Sequence, residues 1–110
     1  MRMIYKIWLD QNGKAFGEGP YHLLTGIGRT GSLRKAASEM GMSYNQAWRL
    51  IKAIEIRLGF QLIERQVGGS SGGGSRVTPE GVRLLETYRV FRQEAGEALE
   101  FLFKKHFGGS

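Results

Sequence analysis

Apolar residues recur along this chain with two periods, and each change of period marks a new element. Between residues 3 and 9, Ile4, Tyr5, Ile7 and Trp8 are interleaved with Lys6; Asp10-Gln11-Asn12-Gly13 then forms a turn ahead of Ala15-Phe16-Gly17. That pattern predicts a β-hairpin. After Gly19-Pro20 the period lengthens, and Tyr21, Leu23, Leu24 and Ile27 predict a first helix, opened by Pro20 and weakened near its end by Gly26 and Gly28. Leu33, Ala36, Ala37 and Met40 follow at i, i+3, i+4 and i+7 behind Ser32, and Ala47, Leu50, Ile51, Ile54 and Leu58 repeat the stripe behind Ser43. Two serine-capped helices, 33–40 and 44–58, are therefore expected on either side of Gly41.

Gly59 ends the second of these, Leu62 to Val67 reads as a strand, and a glycine-serine stretch, 68–75, separates it from a returning strand at Arg76-Val77. A hairpin with a long tip is one reading of that stretch. An engineered spacer is the other, because the composition is that of a flexible linker. Thr78-Pro79-Glu80 then supplies a cap, a proline at the first helical position and an acid at the positive end of the helix dipole. From there Leu84, Leu85, Tyr88, Phe91, Ala95, Ala98, Leu99 and Leu102 carry an apolar stripe nearly to His106. At about 1.5 Å per residue such a helix outreaches a small domain, so its far half needs a partner. A second copy of the helix is the economical partner, and folding back onto the first hairpin is the alternative.

The fold class these elements predict is α+β, mostly helical: a winged helix-turn-helix with an N-terminal β-hairpin and a long C-terminal dimerisation helix. The expected organisation is a DNA-binding domain over 1–78 with its glycine-rich wing at 68–75, a helix over 79–107 that packs on the domain and dimerises, and a flexible tail over 108–110. One core of ordinary size fits in 110 residues, and no additional effector-binding domain is expected within them.

Charge narrows the function. Sixteen lysines and arginines against ten acidic residues give a net charge of +6, which suits a polyanionic partner. The excess is greatest in the middle, with six basic and three acidic residues over 32–66, which is where the two capped helices lie. The stripe of the second capped helix turns Ala47, Ile51 and Ile54 inward, leaving Tyr44, Asn45, Trp48, Arg49 and Lys52 on the outer side. A helix of this kind fits a major groove, where Arg49 is the candidate reader of guanine and Asn45 of adenine. Trp48 has two readings, packing beside the core or facing DNA. Ser43 and Ser32 cap the two helices; Arg34 and Lys35, with the backbone amides after Ser32, are candidates for phosphate, and Arg65 and Arg76 flank the wing.

Other chemistry is poorly represented. With no cysteine there is neither disulfide nor thiolate metal site, which fits a cytoplasmic location. The N-terminus has no apolar signal core and no apolar run is long enough for a bilayer, so neither secretion nor membrane insertion is expected. No Gly-Lys-Ser/Thr follows the glycine stretch, and His22 and His106 have no partners at metal-ligand spacing. We therefore expect no enzyme activity, no metal and no cofactor.

Thr30-Gly31-Ser32-Leu33-Arg34-Lys35-Ala36-Ala37 and Met40-Gly41-Met42-Ser43-Tyr44-Asn45-Gln46-Ala47-Trp48 resemble the N-terminal domain of the ModE family of molybdate-responsive regulators and, more distantly, LysR-type regulators. The resemblance continues through Leu62-Ile63-Glu64-Arg65, Val67-Gly68-Gly69 and Val77-Thr78-Pro79-Glu80-Gly81, covering roughly residues 20–90. It implies a homodimeric regulator of transcription bound to double-stranded DNA. In that family an oxyanion-binding portion follows; this chain is expected to lack it, leaving room for a separate effector-sensing subunit. A winged-helix module that binds a protein partner instead of a specific DNA site is the alternative function.

Overall fold

The computed structural model describes residues 1–66 and 74–108. Its elements run β1 (Leu9–Asp10), β2 (Lys14–Phe16), α1 (Glu18–Thr30), α2 (Leu33–Glu39), α3 (Tyr44–Leu58), β3 (Ile63–Gln66), β4 (Gly74–Val77) and α4 (Pro79–Phe107). This is the winged helix-turn-helix architecture predicted from the pattern, with two small antiparallel ribbons, β1-β2 and β3-β4.

The core forms where the stripes of the three short helices meet. Leu23, Leu24 and Ile27 of α1, Leu33, Ala36 and Ala37 of α2, and Ala47, Ile51 and Ile54 of α3 are all buried; Phe16, Leu62, Ile63 and Tyr88 close the cluster from the ribbons and α4. Small residues set the crossing distance of α1 and α2: a β-carbon on Gly26 would stand 3.0 Å from that of Ala36. α1 therefore tolerates Gly26 in its interior despite the conformational cost. Phe16 meets Tyr88 edge-on, with ring centroids 5.2 Å apart.

Two expectations about strands need correction. The predicted first strand over 3–9 does not form, and only Leu9 and Asp10 pair with β2, through an irregular register. Residues before them lie along α4. The Tyr88 hydroxyl donates to the carbonyl of Ile7 at 3.0 Å, and the Arg92 guanidinium stacks 5.1 Å from the Tyr5 ring centre. Met1, Met3 and Ile4 share an apolar depression with Leu99, Leu102, Phe103, His106 and Phe107. An isolated two-stranded ribbon is marginal in water, and the segment takes its contacts from α4 instead. The second correction is to β4, which starts at Gly74 and not at Arg76, in register with Gln66. The remainder of the expected wing tip, 68–73, where the spacer alternative also falls, lies outside the described residues, as do Val67 of the expected strand and Gly109 and Ser110 of the expected tail.

The β1-β2 ribbon is fastened to the far end of α3. Gln11 Nε2 donates to the Arg57 carbonyl at 2.8 Å, and Arg57 Nη1 donates to the Lys14 carbonyl at 2.8 Å. α4 is continuous over 29 residues, about 43 Å at 1.5 Å per residue. Its first three turns dock on the core through Gly81 and Tyr88, whereas Phe91, Phe101, Leu102 and Phe107 further along are 45–69% exposed. Leu102 and Phe107 line the depression shared with the N-terminal segment and stay partly exposed, whereas Phe91 and Phe101 lie outside it and are open.

Candidate nucleic-acid interface

Local chemistry sets the geometry of the two helices that carry the candidate residues. The Ser32 hydroxyl accepts from the backbone N–H of Lys35 at 3.0 Å, capping α2. Ser43 and Gln46 form a reciprocal capping box at the start of α3: the Ser43 hydroxyl accepts from the Gln46 N–H at 3.1 Å, and the Gln46 side chain accepts from the Ser43 N–H at 2.9 Å. Between the helices the chain turns at Gly41, whose φ of +70° is a left-handed conformation that costs a side-chain-bearing residue. The turn is closed by the Met42 N–H donating to Ala37 at 2.9 Å.

With one face of α3 buried through Ala47, Ile51 and Ile54, its opposite face is open. Asn45 and Arg49 are exposed, and Tyr44 and Trp48 are 36% and 44% exposed. The packing reading of Trp48 therefore gives way, since the indole takes no part in the buried cluster. Each exposed ring carries a cation: the Arg34 guanidinium of α2 sits 4.8 Å from the Tyr44 centroid, and the Lys52 ammonium 5.6 Å from that of Trp48. Arg34 and Tyr44 are thus brought together across the helix-turn-helix, which the sequence pattern did not indicate. Lys35 is exposed on the same short helix.

Two candidate cations turn out to be engaged. Lys52 is half-buried and its ammonium bonds Glu55 at 3.1 Å, while Arg76 pairs with Glu64 at 2.6 Å across the wing. Both pairings had a signal, Lys52 and Glu55 being three residues apart on a helix and Glu64 lying directly opposite Arg76 in the strand register. Glu55 itself is a buried carboxylate that the helical pattern does not mark, since its position follows from the approach of β3. Its second oxygen accepts from the backbone N–H groups of Leu62 and Ile63 at 2.7 and 3.3 Å, so it ties β3 to α3 and with it the wing to the candidate reading helix. β4 is in turn joined to the α1-α2 turn, where the Ser75 N–H donates to the Gly31 carbonyl at 3.0 Å. Arg65 is exposed on β3, opposite Ser75.

Two capped helices about a tight glycine turn, the second bare along its outer side, with a two-stranded wing anchored beside the first, define a winged helix-turn-helix protein. The chain belongs to the lysR family of bacterial regulatory helix-turn-helix proteins, whose family model matches residues 21–82, more than half its length. It is similar to the molybdenum-pterin-binding protein MopB of Rhodobacter capsulatus, at 39% identity over 90 residues that make up 82% of this chain and 33% of MopB. It is also similar to the molybdenum transport protein ModE of Herbaspirillum seropedicae, at 40% identity over 85 residues, 77% of this chain and 30% of ModE. The chain thus spans about a third of the length of the curated relatives it matches. Among solved structures, the BenM DNA-binding domain in complex with benA site 1 DNA has the same fold, with a TM-score of 0.57 and 23% identity over 84% of this chain and 97% of that one. Among the described residues no helix is long and apolar enough to cross a membrane.

Proposed function

We propose that this chain is a sequence-specific double-stranded DNA-binding regulator of transcription that acts as a homodimer in the cytoplasm. The observation that carries the reading is the outer side of α3, where Tyr44, Asn45, Trp48 and Arg49 project from a helix locked to the core on its other side. Arg49 has the fork that matches the O6 and N7 of guanine, and Asn45 the amide that matches adenine. Arg34 and Lys35, beside the helix starts capped by Ser32 and Ser43, are the cations for phosphate together with Arg65 of the wing, and Lys52 and Arg76 join them by exchanging Glu55 and Glu64 for phosphate oxygens. The open apolar side of α4 supports pairing with a second copy. Two reader helices would then enter successive major grooves about 34–36 Å apart on an imperfect palindrome. The names of the relatives support a set of target genes in molybdenum handling, and a separate effector-sensing subunit is a candidate partner.

Selection of bound sequences from a randomised duplex pool tests the reading. The expected result is an enriched palindrome bound about 10³-fold or more above random duplex, with affinity falling steeply as salt rises. Arg49→Ala is expected to cost more on that site than on random DNA. No enriched sequence from a folded dimer would overturn specific DNA binding and leave a protein partner as the better account.

A further inference from the structure

Two large aromatic rings, one helical turn apart, occupy the outer side of α3 beside the candidate polar readers. Tyr44 and Trp48 are 36% and 44% exposed. Neither ring is needed for the core, whose α3 residues are Ala47, Ile51 and Ile54. Each is held on one face by a cation, Arg34 at 4.8 Å and Lys52 at 5.6 Å, and Lys52 is itself held by Glu55 at 3.1 Å. The cations restrain the rings and leave their remaining edges and faces for whatever α3 approaches.

Resting on the reading of α3 as the groove-entering helix, we infer that Tyr44 and Trp48 make it a reader of thymine through the thymine 5-methyl group. In a duplex the base faces are stacked on one another, so a helix in the major groove meets only base edges. Those edges carry hydrogen-bond donors and acceptors on guanine, cytosine and adenine; the methyl group of thymine is the one apolar feature among them. A C–H edge of either ring, away from the Tyr44 hydroxyl and the Trp48 indole N–H, strips donors and acceptors of water without replacing the lost hydrogen bonds. Set against a methyl group, it removes apolar surface from water on both sides. The half-site therefore carries thymine opposite Tyr44 and Trp48, on top of whatever guanine and adenine Arg49 and Asn45 select.

The test uses the full chain and the duplex enriched by selection. Each thymine is replaced in turn by deoxyuridine, which keeps every hydrogen-bonding group and removes only the methyl. At the contacted positions wild-type affinity is expected to fall about four-fold per methyl, and about fifteen-fold when both half-sites are changed, the fold-changes equivalent to burying one methyl or two. In Trp48→Ala or Tyr44→Ala the penalty at the position facing that residue should vanish, while Asn45→Ala leaves it in place. Both aromatic side chains are exposed, so unchanged thermal unfolding of the variants is the control. Deoxyuridine tolerated at every position of a specifically bound site, or a penalty equal in wild type and both aromatic variants, overturns thymine reading and leaves the DNA-binding reading intact. A stronger preference for single-stranded DNA overturns it too, because the rings would then stack on unpaired bases. Failure to enrich any site removes the underlying reading and this inference together.

Discussion

Replacing Glu55 by alanine is expected to weaken the fold more than any exposed charge change in this protein. The side chain is only 9% exposed, and one of its oxygens accepts from the Leu62 amide at 2.7 Å and the Ile63 amide at 3.3 Å. Leu62 is fully buried and Ile63 nearly so, which keeps water from replacing the lost acceptor. A buried donor left unsatisfied costs about 1–3 kcal/mol, with the shorter Leu62 bond toward the upper end and the longer Ile63 bond toward the lower. The Lys52 ammonium, on a side chain 36% exposed, rehydrates when its partner is removed and adds little. The sum is about 4 kcal/mol, a large part of the roughly 5–15 kcal/mol available to a whole domain. Glu55→Gln keeps one carbonyl oxygen for the two amides and gives up the charge and the Lys52 link, so about 1 kcal/mol is expected. Urea unfolding followed by tryptophan fluorescence and circular dichroism measures both, with an unchanged denaturant slope showing that the same cooperative unit unfolds. A shift below about 0.5 kcal/mol for the alanine variant, or a glutamine variant as damaged as alanine, would refute the argument, since unsatisfied amides would then not set the cost.

Other outcomes follow from single contacts. Burial holds the Tyr88 hydroxyl above its ordinary pKa, with the neighbouring Glu18 carboxylate adding to the effect. The folded state therefore keeps a proton that the unfolded chain releases near about pH 10, and the stability from that group, present below this pH, is lost as pH rises through the higher folded value. Tyr88→Phe should flatten that alkaline loss in thermal melts and cost about 1 kcal/mol at neutral pH through the hydrogen bond to Ile7; an unchanged alkaline slope would argue against it. A β-carbon on Gly96 would run into the Tyr5 hydroxyl, so Gly96→Ala should unseat the N-terminal segment and speed tryptic cleavage after Lys6 while leaving the melting temperature nearly unchanged. Phe101 is 69% exposed on α4, so Phe101→Glu should leave the monomer fold intact yet shift sedimentation toward the monomer and weaken binding to a palindrome; a dimer of undiminished affinity would count against α4 as the pairing surface.

Much of the architecture was legible because its determinants are local. The caps at Ser32, Ser43 and Thr78 act on amides three residues away, Pro79 presets its own φ, and the stripes of α2 and α3 repeat within one or two turns. The outer residues of α3 followed from the same period, and the likeness over residues 20–90 carried the fold to its family. Register in the wing was less legible: a glycine-serine run does not mark the point at which it becomes strand, and Gly74 and Ser75 are held there by pairing with β3 and by the Gly31 carbonyl.

Which segments are helical, where they stop, which side of each faces the core and the basic surface are all written locally in the chain, since these depend on interactions spanning a few residues. Tertiary structure decided what those segments meet. It laid residues before β1 along α4 through the Tyr88 to Ile7 bond, 81 positions apart, and fastened the first ribbon to Arg57, 46 positions from Gln11. It also left Trp48 outside the core and partly exposed, placed Arg34 over Tyr44, and turned Glu55 from a solvated helix charge into a buried acceptor for the wing. Such outcomes depend on which distant surface excludes water from a given side chain, and no short-range period or cap records that.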